Sequence, residues 1–200
     1  PTTRPTDYKM DVSGVAARGG DYVEKQLQEK INTAEVTDSC VKELIEKGRG
    51  RNHWLIFTAG IEHADRVAEE LNKAGVSARA AHSGKDDEWN DAALRDHKAG
   101  KFTALVNVAK LSTGYNDPNI DLLCFMRPTR SPVLYIQCVG RGVRVIYAEG
   151  FDLNTREGRL DSIAASKKKD CLIVDFGGVI DELGAIDQVS IKKKYMKKED

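Results

Sequence analysis

The chain has 200 residues, which is long enough for one domain with a real hydrophobic core. Its 31 Lys and Arg balance its 31 Asp and Glu, so the formal net charge is zero, which excludes an all-over basic coat but leaves room for a local basic patch. No apolar run approaches the roughly 18 residues of a membrane helix, and no apolar signal stretch follows the amino terminus. Membrane, collagenous, secreted disulfide-rich and wholly disordered classes are therefore excluded.

The four cysteines, Cys40, Cys124, Cys138 and Cys171, lie far apart in the sequence. Zinc sites built from cysteine usually use short paired spacings, so we expect no metal site here. We expect reduced, mostly buried thiols in a cytoplasmic protein.

The amino-terminal segment, residues 1–51, is interpreted as a lead-in strand followed by helices. Apolar residues recur at helical spacing in two patterns within residues 21–47, and Gly48 ends the second.

Strand and helix patterns then alternate through the rest of the chain. The predicted strands are residues 53–57, 76–81, 102–108, 120–126 and 171–176, and the predicted helices are residues 61–71, 86–98 and a segment that Ser131 and Pro132 open. This alternation predicts an α/β fold with a parallel sheet, helices on both faces and right-handed crossovers.

Two segments depart from the alternation. Residues 148–169 are polar and are predicted to form an exposed loop, and residues 191–200 form a lysine-rich tail. The main domain is predicted to comprise residues 52–190. Trp54 and Trp89 are predicted to lie in the core.

The four histidines lie in different sequence contexts. We expect His53, His63 and His97 to be surface or capping residues, while His82 lies in a candidate site loop.

The segment Gln137-Cys138-Val139-Gly140-Arg141-Gly142-Val143-Arg144 carries the sharpest signal. Arg141 and Arg144 are three residues apart, so they can point the same way as a fork that grips phosphate oxygens. The neighbouring glycines let another surface approach closely. Taken alone, the pattern is equally typical of a surface arginine pair at a helix end.

Three loops after predicted strands carry weaker signals. Residues 109–118 offer Ser112, Thr113 and Asn116 as polar groups, and Gly114 as bare backbone, or they form an ordinary turn. The loops Thr58-Ala59-Gly60 and His82-Ser83-Gly84-Lys85 could hold phosphate, or they could be plain caps and turns.

Taken together and in this order, the four segments resemble the C-terminal RecA-like lobe of superfamily 2 helicases. Residues 54–58, 107–118 and 137–144 are similar to the family's fourth, fifth and sixth motifs. Residues 18–21, 127–132 and 171–176 resemble a phage and bacterial branch of the DEAD/DEAH-box and type III restriction-subunit-like helicases. Many family members carry Asp where Asn116 stands here.

The resemblance implies a RecA-like three-layer α/β/α fold and roles for individual residues. Arg141 and Arg144 match arginine fingers, Gln137 would sense the γ-phosphate or contact the other lobe, and the nucleotide side is matched by Gly114, Asn116 and Gly140. The residues implied to contact the nucleic-acid backbone are Thr58, Ala59, Gly60, Ser83, Lys110 and Thr113. DNA is the expected track rather than RNA.

The sequence contains no G-x-x-x-x-G-K-[ST] and no acidic D-E-A-D or D-E-A-H box. ATP and Mg²⁺ are therefore expected to be held mainly by an N-terminal lobe of the same protein, and this lobe alone is expected to be inactive. Two alternatives stay open: a RecA-like nucleic-acid-binding or interaction module without motor activity, and a small-molecule enzyme. The second lacks the G-x-G-x-x-G that would support it.

Overall fold

A six-stranded parallel sheet forms the centre of the molecule in a computed structural model, which describes residues 1–108 and 115–189. In chain order the strands are β1 (Thr2–Arg4), β2 (Ala17–Arg18), β3 (Asp21–Tyr22), β4 (Trp54–Thr58), β5 (Ala78–Ala81), β6 (Ala104–Val108), β7 (Leu122–Met126) and β8 (Leu172–Asp175). The main sheet has the order β1-β8-β7-β4-β6-β5, and β2 pairs with β3 as a separate antiparallel ribbon. All pairings in the main sheet are parallel.

Helices cover both faces of this sheet. They are α1 (Glu24–Ile31), α2 (Ala34–Lys47), α3 (Ile61–Lys73), α4 (Asp87–Lys98), α5 (Pro132–Gly142), α6 (Arg156–Ala165) and α7 (Val179–Leu183). Within the described residues, none of them has the length and apolar character needed to cross a lipid bilayer.

The central strand β4 shows why the fold has three layers. All five of its residues are buried, as expected of a parallel strand covered on both sides. Trp54 and Ile56 join one core with α1, α2 and α3, while Leu55 and Phe57 join a second core with α4, α5 and α7. The predicted RecA-like parallel sheet with helices on both faces is therefore confirmed.

Side-chain caps begin two of the helices as the sequence predicts. The Ser131 hydroxyl accepts a hydrogen bond from the backbone N–H of Leu134, and Pro132 is the first residue of α5. The Asp86 carboxylate accepts from the backbone N–H of Trp89 at 2.7 Å and caps α4. Each cap satisfies a backbone N–H that the first turn of the helix leaves without a partner.

The amino-terminal segment packs against the main sheet. Strand β1 pairs in parallel with β8, with Thr2 opposite Leu172. Leu27 of α1 and Leu44 of α2 are fully buried in the first core.

Three predicted strands start two residues too early. The structure begins β5, β6 and β7 at residues 78, 104 and 122, whereas the apolar runs begin at residues 76, 102 and 120. Phe102 and Ile120 are buried although they precede the strands, so apolar character extends beyond the hydrogen-bonded ladder.

The prediction that residues 148–169 form an exposed loop is wrong, because α6 occupies Arg156–Ala165. The Thr155 hydroxyl caps this helix by accepting from the backbone N–H of Gly158 at 3.0 Å. Only Ser162 of the helix is buried, so the segment lacks the apolar stripe by which helices are predicted.

The prediction that Trp89 lies in the core is also wrong, since it is 47% exposed, whereas Trp54 is buried at 3%. The inward stripe of α4 is Asn90, Ala93 and His97, which leaves Trp89 beside it. Its indole N–H donates to the carbonyl of Ala80 at 3.1 Å.

His53, His63 and His97 are not surface or capping residues, because all three are buried, at 7%, 0% and 0% exposure.

The four cysteines are free and buried, as predicted.

Candidate functional site

Arg141 and Arg144 lie next to one another at the end of α5, where both contact the segment that precedes β7. Arg141 Nη1 donates to the backbone carbonyl of Tyr115 at 2.6 Å, and Arg144 Nη1 donates to the side-chain oxygen of Asn116. Both acceptors are neutral. In residues 1–108 and 115–189, neither guanidinium belongs to an ion pair.

Burial of the Arg141 guanidinium lowers its pKa from the usual value, and the positive charge of Arg144 lowers it further. The side chain still carries a full charge, because an arginine pKa lies far above neutral pH. Its Nε is buried and has no hydrogen-bond partner among the described residues. The pair is therefore a concentration of positive charge held by neutral groups, which is suited to an anionic ligand.

Gln137 and Gly140 lie on the same helix as the arginines. Gln137 is exposed, one turn before Arg141. A methyl group placed on Gly140 would meet no atom within 4 Å, so packing within this chain does not require glycine there. On Gly142 the same methyl would lie 2.5 Å from Leu123 Cδ1, so that glycine is required by close packing.

Lys168 belongs to residues 148–169, which the sequence predicts to be an exposed loop. Its ammonium instead connects the end of α5 to the segment that precedes β7. Its ammonium donates to the carbonyls of Pro118 at 2.9 Å, Gly142 at 2.7 Å and Arg144 at 2.7 Å. Partial burial of the ammonium lowers its pKa. A cation at the end of α5 satisfies carbonyls that the helix leaves unpaired and fixes them to the Tyr115–Pro118 segment.

The arginine pair lies toward the edge of the sheet where strands β7 and β8 begin. Helix α5 starts after the carboxyl end of β7 and runs back, so that Gly142 packs on Leu123 and Cys171. Thr58 ends β4, and Ser83 follows the end of β5, so both lie at the opposite edge. The candidate residues therefore form two groups, one at each edge of the sheet.

At the carboxyl edge, Gly60 and Ser83 line one cavity of about 390 Å³. Ser83 is exposed, while Gln28 covers Gly60, because a methyl on Gly60 would lie 2.3 Å from the Gln28 amide carbon. Glu24 and Glu62 also line this cavity. Their carboxylates oppose a phosphate group, so binding there would depend on backbone N–H donors and added cations.

Thr58 and Ala59 are fully buried. The Thr58 hydroxyl donates to the carbonyl of Asn107 at 3.3 Å, and the Ala59 carbonyl accepts from Gln28 Nε2 at 3.3 Å and from Arg127 Nη1 at 3.5 Å. The Thr58 hydroxyl is thus engaged inside the protein. Any contact of this loop with a ligand would come from its backbone or from its neighbours.

Four candidate residues named from the sequence, Lys110, Ser112, Thr113 and Gly114, lie outside the described residues. Sequence reasoning also missed Gln28, Arg127 and Lys168 as neighbours of the two groups. No local spacing connects them to the predicted site residues, because their partners are between 24 and 68 residues away along the chain.

Comparisons with known proteins agree with this architecture. The family model of the helicase conserved C-terminal domain matches residues 36–146, which is more than half of the chain. A Schizosaccharomyces pombe protein named as a mitochondrial ATP-dependent helicase, irc3, is 33% identical over 153 residues, covering 74% of this chain and 22% of its own length. The UvrABC system protein B of Burkholderia mallei is 29% identical over 152 residues, covering 70% of this chain and 21% of its own length.

The fold also matches a solved structure of the Escherichia coli DEAD-box protein SrmB. The TM-score is 0.55 at 16% identity, and the match covers 75% of this chain and 78% of that one. At this identity the likeness shows the fold alone.

The parallel sheet with an arginine-bearing helix end thus defines a C-terminal RecA-like lobe of a superfamily 2 helicase. The chain belongs to the helicase conserved C-terminal domain family. It spans about a fifth of the length of the two sequence relatives described here.

Proposed function

We propose that this chain is the second motor lobe of an ATP-dependent helicase or translocase, in which Arg141 and Arg144 act as arginine fingers. The observation that carries the proposal is the pair of adjacent guanidinium groups held by the Tyr115 carbonyl and the Asn116 amide. ATP would be the substrate, with its phosphates and Mg²⁺ held mainly by an N-terminal lobe.

The arginines would accelerate ATP hydrolysis by electrostatic stabilisation. Negative charge on the transferring γ-phosphoryl group is stabilised by fixed cations that need no rearrangement during the reaction, and an arginine finger is worth about 10³–10⁵ in rate. Arg141 is held by its main-chain contact, whereas Arg144 is exposed and can move toward a nucleotide. Gln137 and Gly140 would face the same nucleotide, and Asn116 would connect it to the loop before β7.

The surface around Arg144 supports contact with another lobe. Val143 and Val145 flank it and are 40% and 43% exposed. Apolar side chains left uncovered beside a charged group are typical of a surface that another protein part covers. A docked N-terminal lobe would bury these valines and bring its nucleotide to the arginines.

The nucleic-acid track would run over the opposite edge, where Gly60 and Ser83 share a cavity. Lys110 and Thr113 are proposed to extend this track. Backbone contacts without base reading suit an enzyme that moves along any sequence. DNA is proposed as the track.

The test joins this chain in cis to an N-terminal helicase lobe that carries a Walker A sequence. ATP hydrolysis is measured with and without single-stranded DNA or RNA of matched length. Arg141→Ala and Arg144→Ala should each lower kcat by about 100-fold or more, with a smaller change in KM. Arg95→Ala, an exposed arginine on α4, is the matched control and should leave kcat within about twofold.

Wild-type kcat in both arginine variants would refute the finger role. ATP hydrolysis by this chain alone would refute the dependence on a second lobe. Binding of nucleic acid without any stimulated hydrolysis in the joined protein would favour a binding module without motor activity. Stimulation by RNA and not by DNA would overturn the choice of track.

A further inference from the structure

Four polar side chains meet in the interior where the strands of the main sheet begin. His53 immediately precedes β4, His97 is in the last turn of α4, and Tyr115 and Asp117 precede β7. His53, His97 and Asp117 are buried, at 7%, 0% and 1% exposure. Burying two imidazoles and a carboxylate is costly unless they are paired or bind a cation, so their grouping calls for a physical reason.

The atoms of this cluster lie at distances close to those of a metal site. His53 Nε2 is 2.6 Å from Asp117 Oδ2, and His97 Nδ1 is 3.9 Å from the same oxygen. All three ligand atoms lie within 4.8 Å of one another. Zinc bonds of about 2.0–2.1 Å in a tetrahedron separate the ligand atoms by roughly 3.3 Å, so the two measured distances need changes of less than about 1 Å.

The hydrogen bonds within the cluster are one proton short when both imidazoles are neutral. His97 Nε2 is 3.3 Å from the Thr103 carbonyl, which can only accept, so the proton of the neutral ring is on Nε2 and Nδ1 has a lone pair. Tyr115 Oη lies 2.6 Å from this Nδ1 and 3.0 Å from Asp117 Oδ2. Its single proton serves only one of them, so the other contact places two lone pairs together. A bound cation would turn these lone pairs into ligands.

Hydrogen bonds to neighbouring groups also orient His97 and Asp117 in the way that metal ligands are usually oriented. A ligating histidine commonly donates its other ring N–H to a backbone carbonyl, which is the arrangement of His97 and Thr103. The second carboxylate oxygen of Asp117 accepts from the backbone and the side chain of Asn119, at 3.0 and 2.9 Å. Oδ2 is thereby turned toward the two histidines.

We propose that His53 Nε2, His97 Nδ1 and Asp117 Oδ2 bind a zinc ion, with the Tyr115 hydroxyl or a water molecule as the fourth ligand. Two imidazoles and one carboxylate suit zinc, whereas calcium and magnesium prefer ligand sets made of oxygen. A cavity of about 650 Å³ reaches His53 from outside. Because lysines line the same cavity, zinc entry is slowed, and long incubation is required in the test.

The ion would fix the segment that the arginines contact. Tyr115 supplies the carbonyl for Arg141, and Asn116, the next residue, supplies the acceptor for Arg144. Binding zinc to Asp117 thus holds the backbone on which both guanidinium groups rest. The binding itself does not depend on the proposed helicase function.

The experiment uses the chain as it is, freed of metal with a chelator and desalted. Zinc is titrated in competition with a chromophoric chelator, and the thermal midpoint is measured with and without zinc. We expect one zinc ion per chain and a raised thermal midpoint. Asp117→Asn and His97→Phe should each weaken zinc binding at least tenfold. His82→Gln removes a buried histidine that pairs with Asp65 elsewhere and should leave the affinity unchanged.

A second measurement needs no variant. Cobalt(II) added to the metal-free chain should give the strong visible absorption of a four-coordinate site, and zinc should remove it. Absence of both this absorption and saturable zinc binding in the unaltered chain overturns the proposal. Zinc affinity that stays within threefold in folded Asp117→Asn protein assigns the binding elsewhere and overturns it as well. Failure of a variant to fold leaves the decision to the cobalt measurement.

Discussion

Removing the ammonium of Lys168 should loosen the end of α5. Lys168→Met keeps most of the apolar stem and deletes three charge-assisted hydrogen bonds, to the carbonyls of Pro118, Gly142 and Arg144. Hydrogen bonds to charged groups contribute about 1.5–3 kcal/mol each, but these three share one ammonium and the site is only half buried, so water replaces part of them. We expect a loss of about 2–4 kcal/mol in the free energy of unfolding.

Urea unfolding followed by circular dichroism gives this quantity, and the slope with urea shows whether two-state behaviour is kept. The neighbouring exposed Lys167 makes no hydrogen bond within the described residues, so Lys167→Met is the matched control and should change stability by less than about 0.5 kcal/mol. Equal stability of the two variants would refute the reasoning, because it would mean that the three carbonyls gain nothing from the ammonium. Lys168→Arg should fall between them, since a planar guanidinium does not reach three carbonyls arranged around one point.

The remaining predictions concern two glycines and one histidine. Gly140→Ala should stabilise the chain by up to about 1 kcal/mol in urea unfolding, because the added methyl meets nothing and alanine favours the helix. Gly142→Ala should cost about 1–3 kcal/mol, because the methyl would lie 2.5 Å from Leu123, and equal effects of the two changes would contradict this packing argument. Burial lowers the pKa of His63 to about 4. The unfolded chain binds a proton at this histidine near pH 6.5, whereas the folded chain binds it only near pH 4. The free energy of unfolding therefore keeps its full value at neutral pH and decreases by up to about 3 kcal/mol as the pH falls toward 4. His63→Leu should flatten the acid limb of unfolding measured between pH 7 and pH 4.5, and an unchanged slope would refute it.

The sheet and its helices could be predicted because the relevant signals are local. Apolar runs marked the buried strands, and Ser131 and Asp86 marked helix starts with side chains that do cap them. The helical spacing of apolar residues predicts the wrong inward face for α4, because packing decides which of its side chains point inward. Trp89 is displaced from the core because α4 turns Asn90 inward to donate to the His82 carbonyl. The sequence does not predict helix α6, because this helix has a capping residue but no apolar stripe.

The sequence predicts which residues form the candidate site, but it does not predict the residues that hold them in place. The spacing of Arg141 and Arg144 predicts two guanidinium groups on one side of a helix end, and in the structure the charge of Arg144 lowers the pKa of Arg141. Their partners come from 26 and 28 residues away, and the ammonium of Lys168 reaches them from another loop. Such long-range contacts leave no local pattern. The buried histidines show the same limit, because His53 and Asp117 are separated by 64 residues.

Residues 115–118 connect the buried and exposed parts of the proposed finger site. On the exposed side, Arg141, Arg144 and Lys168 each donate to a different residue of this short segment. On the buried side, the Asp117 carboxylate is held by His53. A shift of this backbone therefore moves all three cations together, since their acceptors lie within four residues of one another, at 115, 116 and 118. Substitutions at Asp117 should change kcat in the joined protein, because Arg141 and Arg144 contact this segment. They should leave nucleic-acid affinity unchanged, because Gly60 and Ser83 lie at the opposite edge of the sheet. Equal losses in kcat and in nucleic-acid affinity would show instead that the lobe as a whole had been disturbed.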